Sequence, residues 1–183
     1  GRGTSEERYG KYLVPQYRDD VFIMTKSQAG DKQGVLKEFD LSRKRMQVDP
    51  VDLLQLHSLR TRGDVADRLE NGVYDALESI LESGKARHVG FTGHQNPYAH
   101  LEMLKRVPAG SVYSTVQMPV NLVDGVAEHS FVKQVLPQAV ERGLGVLAMK
   151  TLADGRFFAR KEMGGKVRWE SDAPAIPDTV SVA

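Results

Sequence analysis

The sequence contains no cysteine, and its acidic and basic residues nearly cancel. The lack of cysteine excludes disulfide bonds, thiolate metal ligands and thiol nucleophiles. With 25 basic and 24 acidic residues the formal net charge is +1, which argues against nucleic acid or an anionic membrane as a partner. No apolar run is long enough to span a bilayer, and we expect no secretory signal. These absences fit a cytoplasmic protein and leave its oligomeric state open.

The sequence also lacks a glycine-rich dinucleotide-binding fingerprint, although apolar strand-like runs alternate with helical patterns along it. Repeated strand–helix units predict a parallel sheet with right-handed crossovers. Without the fingerprint, a classical open dinucleotide fold is disfavoured, so we predict an α/β fold of the (β/α)8 or TIM barrel type. Only five strands are evident, so residues 1–183 are expected to form a single barrel domain that is incomplete at both ends. The predicted strands are Val21–Thr25, Asp52–Leu56, His88–Thr92, Val112–Gln117 and Leu144–Met149.

Helices are predicted between these strands from apolar periodicity and from capping residues. A first helix is expected to start at Thr4, with Glu7 completing a capping box, and to end at Pro15. Leu152 is expected to begin a loop with small elements of its own. The other predicted helices are about Lys32–Met46, Val73–Leu81 with Gly84 at its C-terminal cap, one bearing Leu101 and Leu104, Gln134–Arg142, and one opening at Pro177–Ala183; the segment 60–68 is predicted to be a loop.

Two polar residues directly follow the first two predicted strands, namely Lys26 and His57. Chemistry in barrels of this type is located at the carboxyl ends of the strands. A lysine there can make a neighbouring acid more acidic, or can form a Schiff base if its own pKa is depressed. A neutral imidazole can donate a hydrogen bond to a carbonyl group or act as an acid or base. Each residue could alone be structural, but the pair predicts a catalytic site.

The other strand ends carry further polar candidates for ligand binding. The amides of Gln117 and Asn121 suit a ligand carboxamide, and Lys150 suits a phosphate, although each could also be a cap or a surface residue. No histidine or carboxylate pair has metal-ligand spacing, and no nucleophile elbow supports acyl transfer. The candidates at these ends are Thr92, Gly93 and His94 after the third strand, Gln117 and Asn121 after the fourth, and Met149 and Lys150 after the fifth.

Taken together, several segments resemble the aldo-keto reductase family, and they occur in the family's order. The resemblance implies a (β/α)8 barrel that transfers hydride between a nicotinamide cofactor, usually NADPH but also NADH, and the carbonyl carbon of a small-molecule aldehyde or ketone. The matching segments are Gly3–Glu7, Thr25–Lys26, Asp52–His57, Ser83–Thr92, Gln117 with Asn121, and Gly143–Lys150.

The resemblance also implies roles for individual residues. Lys26 matches the family's catalytic lysine, which makes a proton-donating tyrosine more acidic, and His57 matches the histidine that orients the substrate. We expect the family's tyrosine and aspartate to precede Gly1, and the segment that binds the adenine 2′-phosphate to follow Ala183. The implied cofactor-binding residues are Thr92, Gly93, His94, Gln117, Met149, Lys150 and Leu152.

Two other readings remain open at this point. One is a regulatory subunit of the same fold that binds the nicotinamide cofactor without turning it over. The other is a barrel enzyme that uses Lys26 or Lys150 as a Schiff-base nucleophile.

Overall fold

A computed structural model describes residues 3–153 in full, and the backbone alone of residues 159–163 and 166–170. Five strands form one sheet in the order β1-β2-β3-β4-β5, and every neighbouring pair is parallel. Because each strand lies beside the next one along the chain, the sheet has the winding of a β/α barrel wall. The strands are β1 (Met24–Ser27), β2 (Val51–Leu56), β3 (Ala86–Thr92), β4 (Tyr113–Pro119) and β5 (Gly145–Met149).

Helices connect the strands and cover one side of the sheet. A π-helical turn at Tyr9–Leu13 and a 3-10 turn at Arg18–Asp20 flank α2. A separate antiparallel pair, β6 (Ala159–Met163) and β7 (Lys166–Glu170), follows the sheet. The helices are α1 (Thr4–Arg8), α2 (Val14–Tyr17), α3 (Lys32–Met46), α4 (Arg62–Glu70), α5 (Val73–Glu82), α6 (Pro97–Arg106), α7 (Leu122–Val126), α8 (Phe131–Gln134) and α9 (Leu136–Glu141).

The two sides of the sheet have different chemistry. The helix-facing side is apolar and almost completely buried, and it packs against side chains such as Phe39 of α3 and Leu77 of α5. The opposite side, which we call the inner side, has Lys26, Gln55, Gly90 and Thr115 at successive register positions on β1 to β4. The helix-facing side is represented by Leu54, Leu56, Val89, Phe91 and Val116.

The predicted alternation of helices and parallel strands is confirmed. α3 has the predicted bounds, and Gly84 follows α5 with a φ of 70°, as expected for a glycine after a helix. Pro137 lies in the first turn of α9, where the missing N–H of proline leaves no hydrogen bond unmade. The small elements predicted after Leu152 correspond to β6 and β7, whereas the helix predicted at Pro177–Ala183 lies outside the described residues.

The N-terminal helix differs from its prediction at both ends. Gly3, with a φ of 91°, is the N-terminal cap, and Thr4 is already helical, so the predicted capping box with Glu7 is wrong. Pro15 does not end the helical segment, because it lies in the first turn of α2, where proline is tolerated. The segment therefore continues through the π-helical turn to Tyr17.

The first strand is displaced by about three residues from its predicted position. The backbone N–H of Ile23 donates to Asp52 Oδ2 at 2.7 Å, and Phe22 remains 63% exposed. A carboxylate thus binds the chain where a strand was expected, and β1 begins at Met24. Lys26 is consequently inside β1 rather than directly after it, one residue before the strand ends.

Two helices were missed because their capping signals lie in polar sequence. The predicted loop over 60–68 is wrong: Thr61 Oγ1 accepts a hydrogen bond from the N–H of Asp64 at 3.0 Å and begins α4. Asn121 Oδ1 accepts in the same way from the N–H of Asp124 at 2.9 Å and begins α7.

Among the described residues, no helix is long and apolar enough to cross a membrane.

Candidate active site

Lys26 and His57 line one open cleft of about 610 Å³ beside β1 and β2. The backbone N–H of His57 donates to Ser27 O at 2.7 Å, which extends the hydrogen bonding of the two parallel strands by one residue. This bond places His57 next to the carboxyl end of β1, near Lys26. We call this space the Lys26 cleft. Glu6, Gln28, Glu38 and Arg45 also line it.

His57 is held at its backbone and at its ring. Arg68 Nη1 donates to His57 O at 3.0 Å, and Gln28 Nε2 lies 2.9 Å from His57 Nδ1. Partial burial lowers the pKa of the imidazole, and the positive charge of Lys26 lowers it further, with smaller contributions from His94 and Arg68. A histidine whose pKa is below its usual value is neutral near pH 7. His57 can therefore offer one N–H donor without carrying charge.

Lys26 is half-buried on the inner side of the sheet, and burial lowers the pKa of its ammonium group. Within residues 3–153 it makes no ion pair with a carboxylate. Its register neighbour Gln55 is completely buried, and neither polar atom of that amide has a hydrogen-bond partner within residues 3–153. A cation without a carboxylate partner can act on a negative charge that develops in the cleft.

Two carboxylates on the helices stabilise the edge of β1. Glu6 Oε1 accepts from Thr25 Oγ1 at 2.7 Å, and its other oxygen pairs with Arg45 at 3.3 Å. Glu38 Oε2 accepts from Ser27 Oγ at 2.6 Å and from the N–H of Gln28 at 2.9 Å. These contacts fix the residues on both sides of Lys26.

Sequence reasoning missed Gln28 and the two carboxylates. Glu6 and Glu38 are 19 and 11 residues from their strand partners, so no local spacing reveals the contacts. Gln28 does have a signal, because it is an amide just beyond a strand end that already carries a candidate lysine.

A second cleft, of about 280 Å³, lies at the carboxyl ends of β4 and β5. It brings together the predicted residues His94 and Lys150 with Asn121 and His129. We call it the Lys150 cleft. Asn121 Nδ2 donates to Lys150 O at 3.0 Å, while Asn121 Oδ1 caps α7. Both polar atoms of the Asn121 amide thus form hydrogen bonds within the protein. This agrees with the alternative interpretation of Asn121 as a capping residue.

Three other predicted residues meet where β3 and β4 end. Thr92 is buried and is the register partner of Gln117, and the N–H of Gly93 donates to Gln117 O at 3.4 Å. Gly93 is tightly enclosed, since an added Cβ would lie 2.7 Å from Leu59 O and equally close to His100. Gln117 Oε1 is buried without a partner in the described part of the chain. Such an acceptor fits a ligand amide that donates an N–H.

The last two candidates, Met149 and Leu152, lie at the end of β5 and just beyond it. Met149 is half-buried at the end of the strand, and its carbonyl oxygen accepts from Val120 at 3.1 Å. Leu152 lies on the surface with 48% of its area exposed. Within the described residues, no cluster of three histidine, aspartate or glutamate side chains could hold a metal ion.

Comparison with known proteins identifies the family. A sequence model described as the aldo/keto reductase family matches residues 1–181. L-galactose dehydrogenase of Arabidopsis thaliana is 28% identical over 194 residues, which cover 100% of this chain and 56% of the relative. The uncharacterized oxidoreductase YrpG of Bacillus subtilis (strain 168) is 30% identical over 172 residues, or 84% of this chain and 49% of the relative.

Solved structures of aldo-keto reductases have a fold similar to that of this chain. The holo form of the aldo-keto reductase AKR11C1 from Bacillus halodurans has a TM-score of 0.69 at 22% identity, covering 90% of this chain and 54% of that one. An aldo/keto reductase from Klebsiella pneumoniae, in complex with NADP and acetate, has a TM-score of 0.64 at 25% identity, covering 84% of this chain and 51% of that one.

The chain belongs to the aldo/keto reductase family. The predictions of the family and of a parallel α/β fold of the (β/α)8 type are confirmed. The family is one of NAD(P)H-dependent oxidoreductases. The chain spans 56% and 49% of the length of the two curated relatives described above.

Proposed function

We propose that the protein containing this chain is an NADPH-dependent oxidoreductase that reduces a small aldehyde or ketone by hydride transfer. The observation that carries the proposal is the meeting of Lys26 and His57 in one cleft at the carboxyl ends of β1 and β2. The family assignment supports the reaction class, and a relative of known structure is described as a complex with NADP. We also propose that residues 1–183 form a single partial barrel domain, that NADH is possible in place of NADPH, and that the protein acts in the cytoplasm.

The two side chains would act on different parts of the carbonyl chemistry. As hydride adds to the carbonyl carbon, negative charge develops on the oxygen, and a positioned N–H donor together with a cation stabilises it. A neutral His57 would orient the carbonyl by donating one hydrogen bond. The ammonium of Lys26 would stabilise the developing charge, or the conjugate base of the acid that protonates the oxygen.

The bound nicotinamide would supply the hydride, and the residues at the ends of β3 to β5 would hold it. Gln117 Oε1, which is buried and has no partner among the described residues, would accept from the carboxamide beside Thr92 and Gly93. His94, Met149, Lys150 and Leu152 would line the remainder of the cofactor's path, with Lys150 facing its phosphates.

The first experiment is Lys26→Met in the full-length protein, measured as NADPH oxidation with a panel of aldehydes and ketones. We expect kcat/KM to fall by about 100-fold or more, because the cation that stabilises the developing charge is removed. Lys37→Met is the matched control, since Lys37 is an exposed lysine of α3 outside the cleft. Turnover by Lys26→Met equal to that of the control would disprove the catalytic assignment.

One observation favours a second candidate function. Burial lowers the pKa of Lys26, and a lysine with a depressed pKa is more readily the neutral amine that forms a Schiff base. Borohydride treatment with a carbonyl substrate would trap an adduct on Lys26 if this chemistry occurs. Tight NADPH binding without turnover of any substrate would instead favour a regulatory subunit.

A further inference from the structure

Gln28 is the side chain that contacts the ring of His57 in the Lys26 cleft. The amide nitrogen of Gln28 lies 2.9 Å from His57 Nδ1. An amide NH2 group can donate a hydrogen bond but cannot accept one. In this pairing Nδ1 is therefore the acceptor, and the proton of the neutral imidazole is on Nε2.

The position of Gln28 is itself fixed by its neighbours. Its backbone N–H donates to Glu38 Oε2 at 2.9 Å, and the same carboxylate oxygen accepts from Ser27 Oγ at 2.6 Å. The carbonyl oxygen of Ser27 in turn accepts from the N–H of His57 at 2.7 Å. These hydrogen bonds together hold Gln28, which follows β1, beside His57, which follows β2.

The other side of His57 is fixed by α4. Arg68 is 5% exposed; its Nη1 donates to His57 O at 3.0 Å and its Nε donates to Asp64 Oδ1 at 3.0 Å. These bonds fix the backbone of His57, so the position from which its ring reaches Gln28 is set by α4 as well as by β1. Burial disfavours a second proton on the imidazole, and the positive charges of Lys26 and Arg68 disfavour it further. The ring is therefore neutral, and its one proton is on either Nδ1 or Nε2.

We propose that Gln28 is a positioning residue that holds His57 as the neutral tautomer with its proton on Nε2, so that Nε2 is the nitrogen that donates to the carbonyl oxygen. The role of that donor rests on the proposed function, whereas the tautomer itself does not. If Gln28 instead accepted from Nδ1–H, Nε2 would have no proton and could not orient a carbonyl group.

The test is Gln28→Glu, which replaces the amide by a carboxylate of similar shape that can only accept. We expect Nδ1 to become the protonated nitrogen and the pKa of His57 to rise, because an anion now lies 2.9 Å from the ring. Nitrogen NMR of the histidine rings, in the full-length protein without substrate, reads the tautomer directly. Gln28→Leu, which neither donates nor accepts, should give a mixture of the two tautomers.

Gln33→Glu is the matched control, because it adds the same charge at an exposed position of α3 away from the ring. In carbonyl reduction we expect Gln28→Glu to lower kcat/KM by about 10- to 100-fold with little change in cofactor affinity, and Gln33→Glu to leave it unchanged.

The two proposals fail in different ways. A wild-type His57 with its proton on Nδ1, or one whose tautomer is the same in Gln28→Glu, would overturn the role of Gln28 whatever the activity. A tautomer that switches as expected in a protein that reduces no carbonyl compound would instead contradict the proposed function alone.

Discussion

The two sides of the five-stranded sheet differ in the polarity of their buried side chains and in their contribution to stability. On the helix-facing side, Leu54, Leu56 and Phe91 are at most 1% exposed and belong to one apolar core. On the inner side, Gln55 is equally buried, but neither polar atom of its amide has a partner in the part of the chain that the structure describes. Burial of an aliphatic side chain contributes about 1.5–3 kcal/mol, whereas an unpartnered buried polar group costs about 1–3 kcal/mol. The helix-facing side therefore stabilises the fold, and the inner side gives up stability at positions next to the candidate site.

Gly90 shows how closely the inner side is assembled. It lies in register between Gln55 and Thr115, and an added Cβ would lie 2.6 Å from Thr115 O. Only glycine lets the polar side chains of the neighbouring strands occupy this space. The inner side thus concentrates polar groups, while the other side concentrates apolar contacts.

The largest expected effect is on the helix-facing side, from Leu54→Ala. Leu54 is completely buried in the core, so truncation removes apolar contacts and leaves a cavity. We expect the free energy of unfolding, measured by urea denaturation, to fall by about 2–5 kcal/mol. A loss below about 1 kcal/mol would contradict the claim that this side stabilises the fold.

A titration on the helix-facing side should have the next largest effect. His100 of α6 is completely buried between the rings of Phe91 and Phe131, and burial lowers its pKa to about 4. The unfolded chain takes up a proton at a higher pH than the folded chain does. The stability contributed by neutral His100 is therefore complete above pH 6.5 and decreases as the pH falls towards 4.

The decrease should amount to on the order of 3 kcal/mol at pH 4. Urea denaturation of the wild type and of His100→Gln between pH 7 and pH 4 measures it as the difference between the two pH profiles. Parallel profiles would show that His100 titrates normally and is not enclosed by the core.

The smallest effect is expected on the inner side, from Gln55→Met. Methionine has a similar volume and removes the two unpartnered polar atoms, so the free energy of unfolding should stay the same or rise by about 1 kcal/mol. Leu53→Met, at another fully buried inner position of β2, controls for repacking. If Gln55→Met instead destabilised the protein by more than about 2 kcal/mol, the amide would have a partner and the contrast between the sides would be weaker.

The sequence predicts the fold well where a single pattern decides it. The apolar run before His57 and the periodicity of α3 need no distant contact, and both elements have their predicted positions. β1 was misplaced because Asp52, on another strand, binds the backbone of Ile23 through its carboxylate. No local pattern in 21–27 contains that information.

For the candidate site, residue types at strand ends indicated Lys26 and His57, and the structure places both in one cleft. Gln28 could have been suspected from its position, but the contact of its amide with His57 depends on Glu38 of α3 and on the β1–β2 register. Such contacts join segments that are distant in the sequence, so they become visible only in the folded chain.

The most direct test of the claim that the catalytic site lies at the carboxyl ends of β1 and β2 compares two histidines at opposite ends of the strands. His57 follows β2, whereas His88 lies on β3 in register with Leu53, towards the other end of the strands. In the full-length protein, His57→Ala should reduce kcat/KM for NADPH-dependent carbonyl reduction by about 100-fold or more, and His88→Ala should change it by less than about twofold. Equal rates for the two variants would contradict the account.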